Sequence, residues 1–422
     1  MKNQAIDKNP ISSSKLALPI LLAASMITLM GGAAVAPALP KMGQYFSNLE
    51  NAEYLLSFMV TLPSLAIALS SPFMGIIADK YGKKKLLIAS LLLFSLSGVT
   101  GAYFDSLESI LAGRFVLGIA IAGIMICATA LITDYYADPA KRQKIYGMQA
   151  ASMGFGGLIL ETGGGGLAEF SWRYPFFIYL IALPIMFGAF SLLEPAKHHT
   201  LVSKNETTYP KSKLKIGAIA FVYFIMFIAM VLMFTVPSKG PFLFTESGIT
   251  SSLIGGILLG LLGMASMVAA LCQVRISKYL DELMRCALGI GFTGLGLFLM
   301  ANGSMATIVA GVVFAGIGTG VIQPTLIHWI GLLSPQHLRG RIFGGLTSIL
   351  FLAQFVSPII MQPLLGNGMS LASAFGYFGL AGVAMGIIIP AGNIVLRQSK
   401  NFTLGPNTDI VHLENAVYDE DE

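Results

Sequence analysis

Gly75-Ile-Ile-Ala-Asp-Lys-Tyr-Gly-Lys-Lys-Lys85 is the stretch whose reading decides the fold. A long apolar run stops at Asp79, lysines stand at 80, 83, 84 and 85, and a second apolar run begins at Leu86. A polar turn this short, between two runs of membrane-spanning length, is a hairpin loop at a bilayer surface. Cytoplasmic loops carry the excess of Lys and Arg, so this one is expected on the cytoplasmic side. Gly75 would let a neighbouring helix approach closely. Gly82 would permit the φ > 0 backbone of a tight turn.

The rest of the chain repeats that pattern. With 55% hydrophobic and 11% charged residues over 422 positions, and a mean hydropathy of +0.76, the composition excludes a soluble domain. Spans are expected at 16–39, 54–78, 86–104, 108–131, 145–168, 174–193, 216–237, 252–273, 286–301, 305–329, 342–364 and 371–395. Helices are the form such runs take, because every backbone polar group in lipid must be paired internally. Of the 26 Lys and Arg, all but Lys41, Arg114, Arg173 and Lys239 fall in the even-numbered loops or the two ends. Both termini are therefore expected in the cytoplasm, and the net charge of +5 reflects topology rather than an anionic partner. Lys2, Lys8 and Lys15 before an apolar stretch imitate a signal peptide, but the apolar core is too long, and it reads as a retained first helix. Cys127, Cys272 and Cys286 have no paired spacing and read as packing residues.

The longest loop, 194–215, is basic and separates six spans from six. This suggests an N-terminal six-helix bundle over 1–193, a linker over 194–215, a C-terminal six-helix bundle over 216–396 and a disordered acidic tail over 397–422. An internal repeat supports the division. Ala112-Gly113 through Gly118, then Asp138-Pro139 and Arg142, is echoed by Ala310-Gly311 through Gly316, then Ser334-Pro335 and Arg339.

Gly75, Asp79, Gly82, Lys83 and Lys84 together resemble the signature loop between helices 2 and 3 of the major facilitator superfamily. Lys80 and Lys85 stand where that family usually has arginine and proline. The resemblance implies an all-α membrane protein of twelve transmembrane helices in two pseudo-symmetric six-helix bundles, each with nested inverted repeats. It also implies a secondary transporter whose signature loop helps to latch the halves on the cytoplasmic side. Arg114, in Gly113-Arg-Phe-x-x-Gly118, resembles the span-4 motif, which implies a part in proton coupling or in holding the cavity open to one side; the alternative is an arginine hydrogen-bonded to neighbouring backbone carbonyls, holding helices together. Pro37-Ala-Leu-Pro40, Gly164, Gly165 and Ser171-Trp172-Arg173 are similar to the drug:proton antiporter branch. Leu160-Glu161 departs from that branch's Gly-Pro, and Gly31-Gly32 stands in span 1 where drug exporters commonly carry an acid.

Ionisable groups inside a bilayer are costly, so each is a functional candidate. Arg114 and Glu161 lie at similar depth in neighbouring antiparallel spans. They are expected to pair, Glu161 exchanging the guanidinium for a proton during turnover; the alternative is a static pair fixing the two spans. Asp134, with Asp138, Lys141 and Arg142, is expected to form a cytoplasmic ion-pair latch with the Asp79 loop, or else a solvated cluster. His328 beside Trp329 reads as an interfacial belt residue. Gln323-Pro324 is expected to break span 10 and expose carbonyls to the central cavity. Tyr223, Met226, Met230 and Met233 form a helical stripe, read as packing or as an adaptable apolar wall.

The glycine-rich runs follow no strand, so they are not dinucleotide loops. With no Walker loop, nucleophile elbow or metal-ligand spacing, the chain reads as neither an enzyme nor a cofactor or metal protein. An ion gradient is left as the driving force. The expected function is proton-coupled export of small amphipathic compounds by alternating access, carried out by a multi-pass monomer of the inner membrane. Its partners are a small-molecule substrate, protons and the lipid bilayer, with no nucleic acid. The alternative is a proton-coupled importer of a small metabolite or metal chelate.

Overall fold

The computed structural model describes residues 16–136, 138–193, 216–335 and 338–397. The linker 194–215 and the acidic segment beyond Arg397 lie outside them. In chain order the helices are α1 (Ala17–Met26), α2 (Ala52–Tyr81), α3 (Lys83–Gly98), α4 (Leu107–Tyr135), α5 (Pro139–Phe170) and α6 (Ala182–Leu192), the last preceded by a 3-10 stretch, Tyr174–Ile181. Then come α7 (Ile216–Glu246), α8 (Ser252–Ile276), α9 (Glu282–Met300), α10 (Met305–Leu333), α11 (Arg339–Gly366) and α12 (Leu371–Arg397).

Among the described residues, ten helices are long and apolar enough to cross a membrane. An eleventh span is the pair Ala17–Met26 and Gly31–Tyr45, bent by 48°. α5 has 32 residues but is less apolar than the rest and is not among these, owing to its glycines, Gln149 and Glu161. Starts are set by short polar side chains. Ser106, Asp138, Ser251, Asp281 and Ser304 each accept a hydrogen bond from the backbone N–H three residues on. Each satisfies one of the donors a helix leaves unpaired at its first turn.

Prolines end fewer helices than expected. α7 continues through Pro237 and Pro241 to Glu246, so Lys239 lies inside a helix and is buried, not in a loop. α10 likewise runs unbroken through Pro324, so the break expected at Gln323-Pro324 does not occur. Membrane-spanning helices tolerate such prolines because neighbouring helices and local side chains can take up the backbone groups they free.

Helices α1–α6 pack on one another, and so do α7–α12. The repeat read from sequence is a repeat of contacts. A Cβ on Gly118 of α4 would fall 2.3 Å from the Pro63 carbonyl of α2, and one on Gly316 of α10 would fall 2.4 Å from the Leu262 carbonyl of α8. The second and fourth spans of each bundle thus touch through the same small residue, where no side chain fits. Gly113 repeats the parallel one turn earlier, against Thr100, as Gly311 does against Gly296 and Met300.

Gly82 has φ +95° and makes the tight turn between α2 and α3. Gly75, by contrast, has nothing within 4 Å of where a Cβ would stand, so the close helix approach expected there is not made.

Candidate functional site

Between the bundles lies a cavity of about 770 Å³. Its walls are α1, α2, α4 and α5 of the first bundle and α11 of the second. Ser71 and Pro72 late in α2, Thr133 at the end of α4 and Arg341 at the start of α11 place its mouth at the lysine-rich face. Apolar area comes from Met125, Ile126, Met153 and Phe351. The polar centre is Gln149 of α5, whose amide nitrogen donates to Ser25 Oγ at 2.8 Å and Thr129 Oγ1 at 3.2 Å. Gln149 therefore ties three walls together.

Beyond the cavity the bundles close on each other. Ser64 of α2 donates to Gln354 Oε1 of α11 at 2.8 Å, with both residues buried, and Phe58 packs on Phe355 with centroids 5.6 Å apart. On the other flank α5 meets α8 almost backbone to backbone. A Cβ on Gly165 would lie 2.4 Å from the Ser252 carbonyl, and one on Gly256 would lie 2.4 Å from the Glu161 carbonyl.

A polar clasp completes the seam on the face opposite the lysines. Glu169, at the end of α5 beyond its apolar part, accepts from the Leu253 N–H at 3.0 Å, from the Ser251 hydroxyl, and from Lys41 Nζ at 3.1 Å. One carboxylate thus caps a helix of the other bundle. The Leu253 N–H, then the Ser251 hydroxyl and Lys41 hold the Glu169 carboxyl well below its ordinary value of 4.5, at about 2. Lys239 lies in the same seam, 2% exposed, with its Nζ 3.5 Å from the Glu53 carbonyl oxygen.

Arg114 is fully buried, but it does not line the cavity. Its Nη1 donates to the Tyr179 hydroxyl at 2.7 Å and to the Gly31 carbonyl at 3.3 Å. The guanidinium lies over the rings of Phe176 and Tyr179, at 4.7 and 4.8 Å from their centroids. Its Nε and Nη2 have no hydrogen-bond partner among the described residues. The expected ion pair with Glu161 is not formed. Glu161 is half-buried at the α5–α8 crossing and has no ion pair or hydrogen bond among the described residues.

The remaining expected residues are dispersed. Tyr223 donates to the Ile342 carbonyl at 2.6 Å and packs on Gly345, holding α7 to the start of α11. Gln323 is half-buried in α10, away from the cavity lining. Met226 and Met230 are core residues, so the stripe packs rather than forming a wall. His328 is exposed, 3.8 Å from Glu282.

At the lysine-rich face, Lys83 pairs with Asp134 at 2.7 Å and Lys84 donates to the Phe190 and Leu193 carbonyls at 2.9 and 2.6 Å. These bonds join helices of the first bundle and do not cross to the second. Asp138 caps α5, while Asp79 and Arg142 have no ion pair among the described residues. The ion pair expected between Asp134 and the Asp79 loop is thus made, through Lys83, but it lies within the first bundle, and Asp79, Arg142 and the second bundle take no part in it among the described residues.

Gln149, Gln354, Glu169 and Arg341 were not singled out from sequence. Gln149 and Gln354 carried a signal, as lone amides inside apolar runs.

Two equivalent helical bundles around a cavity open to one face are the architecture of a solute transporter. The chain belongs to the Major Facilitator Superfamily, whose pattern it matches over residues 21–358. Similar proteins include the class B tetracycline resistance protein of Escherichia coli, 25% identical over 386 residues, covering 90% of this chain and 94% of that one. The quinolone resistance protein NorA of Staphylococcus aureus is 26% identical over 359 residues, covering 79% and 86%. Among solved structures, the xylose transporter XylE from E. coli in its inward-open conformation matches with a TM-score of 0.70 at 15% identity, covering 88% and 94%. The POT family transporter PepTSo matches at 0.73 and 12%, covering 92% and 99%. At such identities the structural likeness speaks for the fold alone.

Proposed function

We propose that this protein is a proton-coupled exporter of small amphipathic compounds, working as a monomer in the bacterial inner membrane with both termini in the cytoplasm. The observation that carries this reading is the cavity of about 770 Å³, mostly apolar and open on the lysine-rich face, behind a sealed opposite face. With that face cytoplasmic, the cavity collects cargo from the cytoplasm and the inner leaflet. The resistance proteins similar to this chain support export as the direction.

In this reading the bodies that rock are the helices of 1–193 and of 216–396, joined through 194–215. Outward opening breaks the Glu169 clasp and the Ser64–Gln354 bond, and closes the lysine-rich face. Gly75 and Asp79 then meet the second bundle, which accounts for the open space beside them in this state. Glu161 is the proton carrier. It sits on the crossing that must open, and it lacks the counter-ion that would keep it charged throughout. Arg114 acts as a structural rivet of the first bundle.

Everted vesicles test this reading. With the lumen acidified, an amphipathic probe such as a fluorescent naphthalene derivative accumulates in the lumen, and Glu161→Gln abolishes the dependence on the gradient while binding persists. Probe driven out of the lumen by the same gradient marks an importer. Gradient dependence unchanged in Glu161→Gln rules out the proton carrier.

A further inference from the structure

The charge of the cavity defines its cargo more narrowly. Among the residues that line it, one is ionisable, Arg341 of α11, exposed to the cavity near its mouth. Arg341 has no ion pair or hydrogen bond among the described residues. Several other charges at that face are engaged elsewhere, although Asp79 and Arg142 have no ion pair among the described residues. Arg339 donates to the Gly331 carbonyl at 3.4 Å, Lys83 and Asp134 neutralise one another, and Asp138 is the cap of α5. Among the described residues no carboxylate lines the cavity. The first bundle's walls offer neutral dipoles, Ser25, Thr129 and Gln149, beside Met125 and Met153, and α11 adds Phe351.

We infer that the cargo is an amphipathic anion, with a carboxylate or comparable acidic group on an apolar body, and that Arg341 sets this specificity by pairing with the anion. The inference rests on the transporter reading above and narrows it. A guanidinium presents a planar fork that matches a carboxylate bidentately. A cationic amphiphile would instead leave water for a cavity that holds an uncompensated positive charge and no counter-ion. Gln149 orients the far end of the molecule through hydrogen bonding without selecting its charge.

A matched series on one apolar body tests the assignment: 6-(2-naphthyl)hexanoate, its primary amide, and 6-(2-naphthyl)hexylamine as the ammonium. Binding to the purified full-length protein is read from ligand-induced thermal stabilisation, and flux from everted vesicles. The carboxylate is expected to bind wild type about tenfold more tightly than the ammonium, the range of a charge-assisted hydrogen bond. Arg341→Glu reverses that order, and Arg341→Lys, which retains the charge, keeps it. Arg341 is exposed, so both variants are expected to keep the wild-type unfolding temperature without ligand; a variant that does not is replaced by Arg341→Gln, which must abolish the preference. The inference is overturned by equal binding of carboxylate and ammonium to wild type, by no binding of the carboxylate, or by an unaltered order in Arg341→Glu. Failure of the transporter reading looks different: the charge preference of binding persists while a proton gradient moves none of the three compounds.

Discussion

At the scale of single residues, Arg114 shows how a charge can be held in an apolar core. Two aromatic faces, one hydroxyl and one backbone carbonyl replace water around it, and a cation over a ring is worth about 2 kcal/mol or more when desolvated. Lysine cannot lie flat between the Phe176 and Tyr179 rings while also reaching the hydroxyl. Arg114→Lys is therefore expected to lower the unfolding temperature in detergent by more than Tyr179→Phe, which removes one hydrogen bond to a charged group, about 1.5–3 kcal/mol. The double variant should fall short of the sum of the two, as expected of groups in contact. Glu169 carries a second prediction. Its carboxyl titrates lower in the closed seam than in water, so the clasp is at full strength above about 4.5 and weakens as pH falls toward about 2. Protons at ordinary pH thus do not open the face by this route. Spin labels at Ser47 and Thr250, both exposed on the clasped face, should keep one distance distribution from pH 5 to 8, and Glu169→Gln should broaden it to longer distances.

At the scale of helices, the close crossings are made by glycine. Apolar side chains gain nothing by leaving lipid for another helix, so backbone proximity and dispersion hold the spans together. The α5–α8 crossing carries this kind of contact from one bundle to the other, beside Glu161. Placing a side chain at Gly165 or Gly256 forces overlap with a carbonyl, a strain of about 1–3 kcal/mol for overpacking. Gly165→Val and Gly256→Val should each fold, because neither bundle's internal packing is touched. Both should lower transport by about tenfold, with the distance between the Ser47 and Thr250 labels increased.

At the scale of the whole molecule, the two faces differ because one seam is bonded and the other is not. Accessibility measures this directly. In a Cys272→Ser background, where the remaining Cys127 and Cys286 are buried, cysteines at Ser71 and Thr347 should react with a membrane-impermeant thiol reagent from the lysine-rich side. A cysteine at Ser57, buried behind the seam, should not react from either side until transport begins. Reaction of Ser57→Cys from the opposite side at rest would mean that face is not sealed.

Composition and periodicity carried the architecture, since the span pattern, the lysine-rich turn at Gly82 and the Gly118/Gly316 repeat are local and each obeys a constraint the bilayer imposes. The positions of Pro237 and Pro324 misled because flanking prolines look like helix ends, whereas packed spans absorb them. The site was less legible. Arg114 and Glu161 stood out as charges, yet depth along a span says nothing about azimuth, and azimuth separates an aromatic core from an interbundle crossing. Partners far apart in the chain, such as Gln149 with Ser25, Ser64 with Gln354, and Glu169 with Ser251 and Leu253, exist only once the bundles are assembled. Sequence thus determined that these helices form and span, because lipid acts on each one alone. Tertiary structure decided which face is open and which charge lines the cavity, because both depend on how two separately built bundles meet.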